Sequence, residues 1–139
     1  MYKRQKLADK IKCGNSLISD KNVVDNAFVW EEEFSEVFES GGFDVVIGNP
    51  PYVNIANISH EEYRNYLRKS FKVAKNKSDL YSFFVEKSVN ILNENGLLGF
   101  IISNSWLGTD SFSEFRKFLI FETKSVSYTH LTLPTNREV

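Results

Sequence analysis

The stretch Phe43-Asp44-Val45-Val46-Ile47-Gly48-Asn49-Pro50-Pro51-Tyr52 decides the fold class. Val45, Val46 and Ile47 form a short β-branched run of the kind buried on both faces of a parallel sheet. Gly48 frees the backbone before a rigid turn, so the turn is expected at the carboxyl end of a central strand, where open α/β sheets carry their chemistry. In that turn the Asn49 side-chain oxygen and the Pro50 carbonyl can both accept hydrogen bonds from one amino group. The fixed φ of proline holds its carbonyl in place, and its missing N–H leaves no competing donor. Tyr52 offers a flat face on which a planar group can stack. The competing structural reading is a plain strand-ending loop in which two prolines stop a ladder.

Ser59-His60-Glu61-Glu62 has the form of a capping box and predicts a helix over roughly residues 60–70, with Tyr63, Tyr66, Leu67 and Phe71 at helical spacing. A polar loop, Lys75-Asn76-Lys77-Ser78, follows. Tyr81, Phe84, Val85, Ser88 and Leu92 recur at the spacing of one helical face. Asp79 stands where it would cap that helix. Gly96 is expected as its C-cap before a strand from Leu97 to Ser103. Asp110-Ser111 and Glu114 open another helix, with Phe112, Phe115 and Leu119 facing inward. Helices of this length alternating with apolar strands indicate an α/β sheet rather than a bundle. Trp106 has two readings, one lining a site at the strand end and one filling space under the sheet.

The chain has 139 residues, 42% hydrophobic and 25% charged, which are ordinary globular values. No apolar run approaches a membrane span or a signal-peptide core, so a cytoplasmic location without membrane partners is expected. Cys13 is the only cysteine, and His60 and His130 are far apart, so neither a disulfide nor a metal site is expected. The net charge of −1 shows no overall basic footprint. Arg64, Arg68, Lys69, Lys72, Lys75 and Lys77 nevertheless form a local basic stretch, readable as a phosphate-contacting surface or as a solvated helix face and loop.

Asn49-Pro50-Pro51-Tyr52, with Phe43 to Gly48 before it and Val53 after it, resembles the motif of adenine-N6-specific DNA methyltransferases. The likeness is to the branch that includes the fused restriction-methylation enzymes of type IIG. Residues 10–18 resemble that branch's third sheet strand, and Phe28-Val29-Trp30 resembles its lead into the catalytic strand. Ser78-Asp79-Leu80-Tyr81, then Gly96 to Ile102 and Trp106-Leu107, match the order of the family's later elements.

The resemblance implies a Rossmann-like, S-adenosylmethionine-dependent fold, present here in part and without its first two and last strands. It implies catalytic roles for Asn49, Pro50 and Tyr52, and cofactor contacts from Asn15, Ser16, Pro51 and Phe84. Phe84 also reads as plain core. Asn15 stands where many relatives have aspartate, yet its amide still accepts from an adenine amino group and donates to a ring nitrogen. The implied partner is double-stranded DNA with the target adenine flipped out of the stack. Methyl transfer would be direct, with no covalent nucleophile, in a restriction-modification or related defence setting. By the same resemblance the sequence is expected to be a fragment, with residues 1–124 a partial catalytic domain; residues 125–139 have no counterpart in the family and read as a non-native tail similar to translated sequencing adapter, or else as a polar β-strand ending at Pro134. Two other readings stand beside it: a protein-glutamine N5-methyltransferase, which also orients a planar nitrogen, and a truncated gene product without activity.

Overall fold

The computed structural model describes residues 10–75 and 78–123. The residues from 124 onward, including the proposed tail with His130 and Arg137, lie outside that range, as do Asn76 and Lys77. The architecture is α/β, as the alternation of patterns predicts. Two strands, β1 (Phe43–Gly48) and β2 (Leu92–Phe100), pair in parallel. The two short helices α1 (Trp30–Glu33) and α2 (Ser35–Glu39) precede β1. Helices α3 (Glu61–Ser70) and α4 (Leu80–Ile91) make the crossover, and α5 (Ser113–Glu122) follows β2.

The register sets Val45 beside Leu97, Val46 beside Leu98, Ile47 beside Gly99 and Gly48 beside Phe100. Helix α4 runs into β2 without a glycine cap, and Gly96 lies inside the strand. Phe43 pairs with Leu92 but Val45 with Leu97, so the extra residues of β2 are accommodated as an irregularity. Asn93 stabilises it by donating from Nδ2 to Asp44 Oδ1 at 2.6 Å and accepting at Oδ1 from the Asn95 N–H at 3.0 Å. A Cβ on Gly96 would lie 2.9 Å from the Phe43 carbonyl oxygen and 2.7 Å from Leu92 Cδ2, so close approach, not helix termination, explains this glycine. Gly42, which turns the chain into β1, has φ +114° and backs onto the Ile91 carbonyl.

Burial divides the sheet. On one face Leu98, Phe100 and Ile102 are half-buried against the core, and Val46, the partner of Leu98 in the register, is half-buried as well. On the other, Val45 is 55% exposed, Ile47 79% and Leu97 68%. The expectation that the β-branched run is buried on both faces therefore holds for one face, because among the described residues nothing packs on the second.

The core joins Leu17, Ile18, Ile55, Leu67, Tyr81, Phe83 and Phe115. A second, aromatic group lies at the start of β1, where Trp30, Phe34 and Phe38 all set their rings against Phe43 at 5.4–5.9 Å between centroids. Trp30 also donates from Nε1 to the Ser16 carbonyl at 3.0 Å, tying the 15–18 turn to this group.

Three other local expectations are corrected. Residues 10–18 form no strand; Asn15 makes only an isolated bridge to Ala27, and the Phe28 N–H bonds back to the Ile18 carbonyl at 2.8 Å. A strand here needs sheet neighbours, and the described residues contain none for it. Helix α3 is present but its capping box is not: His60 is the N-cap residue and no side chain caps the helix. On α4 the fully buried phenylalanine is Phe83, while Phe84 is half-buried at the edge of the core.

Glu86 of α4 is only 2% exposed, yet its carboxylate has partners. Oε1 accepts from the Lys72 N–H at 2.9 Å and Oε2 from the Val73 N–H at 3.0 Å, holding the single 3₁₀ turn Lys72–Lys75 against the helix. Both donors sit at the free N-terminal end of that turn. Removing the carboxylate strands two N–H groups beside the core. Glu86→Ala is expected to lower unfolding free energy by about 3 kcal/mol, measured by urea denaturation.

Candidate active site

The tetrad Asn49–Tyr52 leaves β1 at its carboxyl end, beside the end of β2, as the parallel pairing requires. Asn49 is exposed and Pro50 buried. Among the described residues no protein donor bonds the Asn49 side chain or the Pro50 carbonyl. Pro51 is exposed.

Tyr52, by contrast, is anchored. Its hydroxyl donates to the Ile101 carbonyl at 2.8 Å, just past the end of β2. Its ring meets the Tyr81 ring edge-on, at 6.0 Å between centroids and 81° between planes. An edge-on contact leaves a face of the Tyr52 ring uncovered by Tyr81, and Tyr52 is 54% exposed.

Tyr81 is itself fully enclosed. Its ring stacks on Phe112 at 5.6 Å and its hydroxyl lies 3.3 Å from Ser105 Oγ. Ser105 in turn takes a hydrogen bond from the Ser103 hydroxyl at 3.0 Å, within the 3₁₀ turn that follows β2. Trp106, in the same turn, packs edge-on against Phe115 at 5.6 Å, which gives it a space-filling contact with the core. Arg116 fixes the turn by donating to the carbonyls of Trp106 and Thr109 at 2.6 and 2.8 Å.

The other expected site residues lie on separate elements. The Asn15 Oδ1 accepts from the Leu17 N–H at 3.2 Å, and its amide nitrogen has no partner among the described residues. The half-buried Ser16 keeps an unpartnered hydroxyl while its carbonyl serves Trp30. No hydrogen bond joins Asn15, Ser16 or Phe84 to the tetrad. Of the basic stretch, Arg64 is occupied with the Ile58 carbonyl at 2.6 Å and Lys72 with Glu122 at 2.7 Å, whereas Arg68 and Lys69 point outward. Hydrogen bonding and attraction from Glu122 raise the Lys72 pKa above its ordinary value. Among the described residues no group of side chains is suited to hold a metal ion, and no helix is long and apolar enough to cross a membrane.

Sequence reading missed Asn54 and gave Asp79 a different role. Asp79 stands at the start of α4 but does not cap it with its side chain. It accepts instead from Asn54 Nδ2 at 3.0 Å, joining the segment after the tetrad to the start of α4. Nothing in the local sequence links two residues 25 positions apart.

Residues 1–134 match the family described as Eco57I restriction-modification methylase. The chain belongs to that family. It is 33% identical over 114 residues to the type II methyltransferase M.TthHB8I of Thermus thermophilus, covering 78% of this chain and 25% of that protein. It is 32% identical over 127 residues to the type II methyltransferase M.BstVI of Geobacillus stearothermophilus, covering 90% of this chain and 22% of the relative. The type II restriction enzyme and methyltransferase RM.Eco57I of Escherichia coli shares 34% over 116 residues, 81% of this chain and 11% of its own length. The chain thus spans a quarter or less of these relatives.

The Tyr81 phenol is pushed up to about 12 from 10.0, chiefly by burial, with the Ser105 hydrogen bond acting against it. The folded protein therefore keeps this proton at pH values where the unfolded chain loses it. The resulting stability is fully present below pH 10 and disappears as pH rises toward 12. Urea midpoints at pH 8 and pH 11 are expected to fall more for the wild type than for Tyr81→Phe, which has no proton to lose.

Proposed function

We propose that this protein is the catalytic segment of a cytoplasmic DNA methyltransferase that modifies N6 of adenine within a restriction-modification system, using S-adenosylmethionine. The observation that carries the reading is the pair of acceptors, Asn49 Oδ1 and the Pro50 carbonyl, left without protein donors beside an anchored tyrosine. A conjugated amino group has two N–H bonds and a weakly basic lone pair. Two acceptors on one turn take both protons and draw the nitrogen toward a tetrahedral, more nucleophilic geometry.

Tyr52 presents a ring face for the extruded adenine, whose unstacking from the duplex is offset by this contact. The rigid Pro50-Pro51 step holds the acceptors still, so catalysis rests on proximity and alignment. When bound, the methyl donor would supply an electrophilic methyl carbon on a sulfonium, whose S–C bond would break as the N6–C bond formed. The proton that N6 then carries is acidic and leaves to water.

To the donor's adenine we assign the half-buried Asn15 with its unpartnered amide nitrogen and Ser16 with its unpartnered hydroxyl as polar contacts, and Pro51 and Phe84 as apolar ones. The membership of the Eco57I restriction-modification methylase family and the names of the type II relatives support DNA as substrate.

The test is methyl transfer from labelled S-adenosylmethionine by the product of the longest reading frame containing this sequence. Adenine-containing duplex is expected to take the label; labelling of a glutamine-bearing peptide instead would overturn the reading. Asn49→Ala is expected to lower the single-turnover rate by about 100-fold or more with donor affinity nearly unchanged. A variant within a few-fold of wild type would remove Asn49 from its role.

Tyr52 separates two contributions, since its hydroxyl anchors the ring and its face is free. Tyr52→Phe is expected to retain most activity, because one exposed hydrogen bond is worth about 1 kcal/mol. Tyr52→Ala should weaken extrusion of the target base by about 1–3 kcal/mol, read by 2-aminopurine fluorescence. Equal, severe losses in both variants would show that the hydroxyl, not the face, is what matters.

A further inference from the structure

We propose that Asn54 and Asp79 form a side-chain latch that positions the catalytic turn, a role that rests on the tetrad being the site of transfer. The turn is held upstream by β1. Downstream, residues 53–55 lie antiparallel to residues 78–80, with only two backbone hydrogen bonds between them: Leu80 N–H to the Val53 carbonyl at 2.8 Å and Ile55 N–H to the Ser78 carbonyl at 3.0 Å. A bridge this short has little to fix its register. The Asn54–Asp79 bond at 3.0 Å lies between the two backbone bonds and pins them in step.

Asn54 suits the position because both ends of its amide are used. Oδ1 accepts from the Ala56 N–H at 2.9 Å while Nδ2 donates to Asp79, so the group has one satisfied orientation. Both residues are half-buried, which shields the charge-assisted bond from water. Asp79 directly precedes α4, whose Tyr81 packs on Tyr52 and whose Glu86 holds the 72–75 turn. Ser78 closes the loop by donating to the Val73 carbonyl at 3.0 Å. The latch thus connects the rigid helix to a point two residues past Tyr52.

The test uses Asn54→Asp, Asp79→Ala and the exchange Asn54→Asp with Asp79→Asn, in the same reading-frame product. Asn54→Asp keeps the acceptor for Ala56 but sets two carboxylates against each other. Adding Asp79→Asn restores the bond with donor and acceptor reversed. Each single change is expected to lower kcat by about 10- to 100-fold, as small misplacements do, while KM for the methyl donor stays within about twofold. The exchange is expected to recover most of the loss. An exchange no better than Asn54→Asp alone, or single changes without effect on kcat, would overturn the latch. Amide hydrogen exchange at Ile55 and Leu80 keeps the two proposals apart. Absence of adenine methylation by the wild type would sink the proposed function. Faster exchange in Asn54→Asp, reversed in the double variant, would still support the latch, and unchanged exchange would overturn it.

Discussion

The parallel pairing of β1 with β2 is the constraint on which the site depends. It brings Gly48 level with Phe100, so the chain leaves both strands at the same end of the sheet. The tetrad after Gly48 and the serine-rich turn after β2 then become neighbours although they are more than fifty positions apart in the chain. The hydrogen bond from Tyr52 to the Ile101 carbonyl exists only because these two exits coincide. In an antiparallel pair the end of β1 would face the start of β2, and Tyr52 would have no such partner.

The turn that carries the tetrad combines a restrained backbone with unused hydrogen-bonding capacity. Almost every polar group around it is engaged: Tyr52 with Ile101, Tyr81 with Ser105, Asn54 with Asp79, and Glu86 with two backbone donors. Among the described residues no buried side-chain nitrogen or oxygen lacks a partner. The two acceptors of Asn49 and Pro50 stand apart from this network. The proposed role of orienting an incoming amino group calls for acceptors that do not reorganise when it arrives, and the surrounding bonds restrain the turn that carries them.

The half-covered sheet bears on how the segment works as part of the family. Val45, Ile47 and Leu97 form an exposed apolar face directly behind the strand that delivers the tetrad. The described residues pack helices and turns against the other face only. The contacts that hold the tetrad and the segment after it, from Tyr52 to Ile101 and Tyr81 and from Asn54 to Asp79, reach the end of β2 and the start of α4.

The sequence by itself determined the α/β class, the strand at Val45–Ile47, the helices corresponding to α3, α4 and α5, and the tetrad as the candidate centre. These follow from local physics: β-branched runs, helical spacing of apolar residues, and a proline pair that fixes φ. Local signals misled where a neighbour far along the chain set the outcome. Gly96 reads as a helix cap, but the Phe43 carbonyl approaching from β1 is what requires it. Residues 10–18 resemble a family strand, yet a strand forms only against partners, and here the segment turns back on Asn26 and Ala27. Asp79 reads as a cap, but Asn54 reaches it first. Only the tertiary structure decided which acceptors are satisfied and which stay open, because hydrogen-bond partners separated by 25 to 50 positions are chosen by the packing of the chain and leave no periodicity to read.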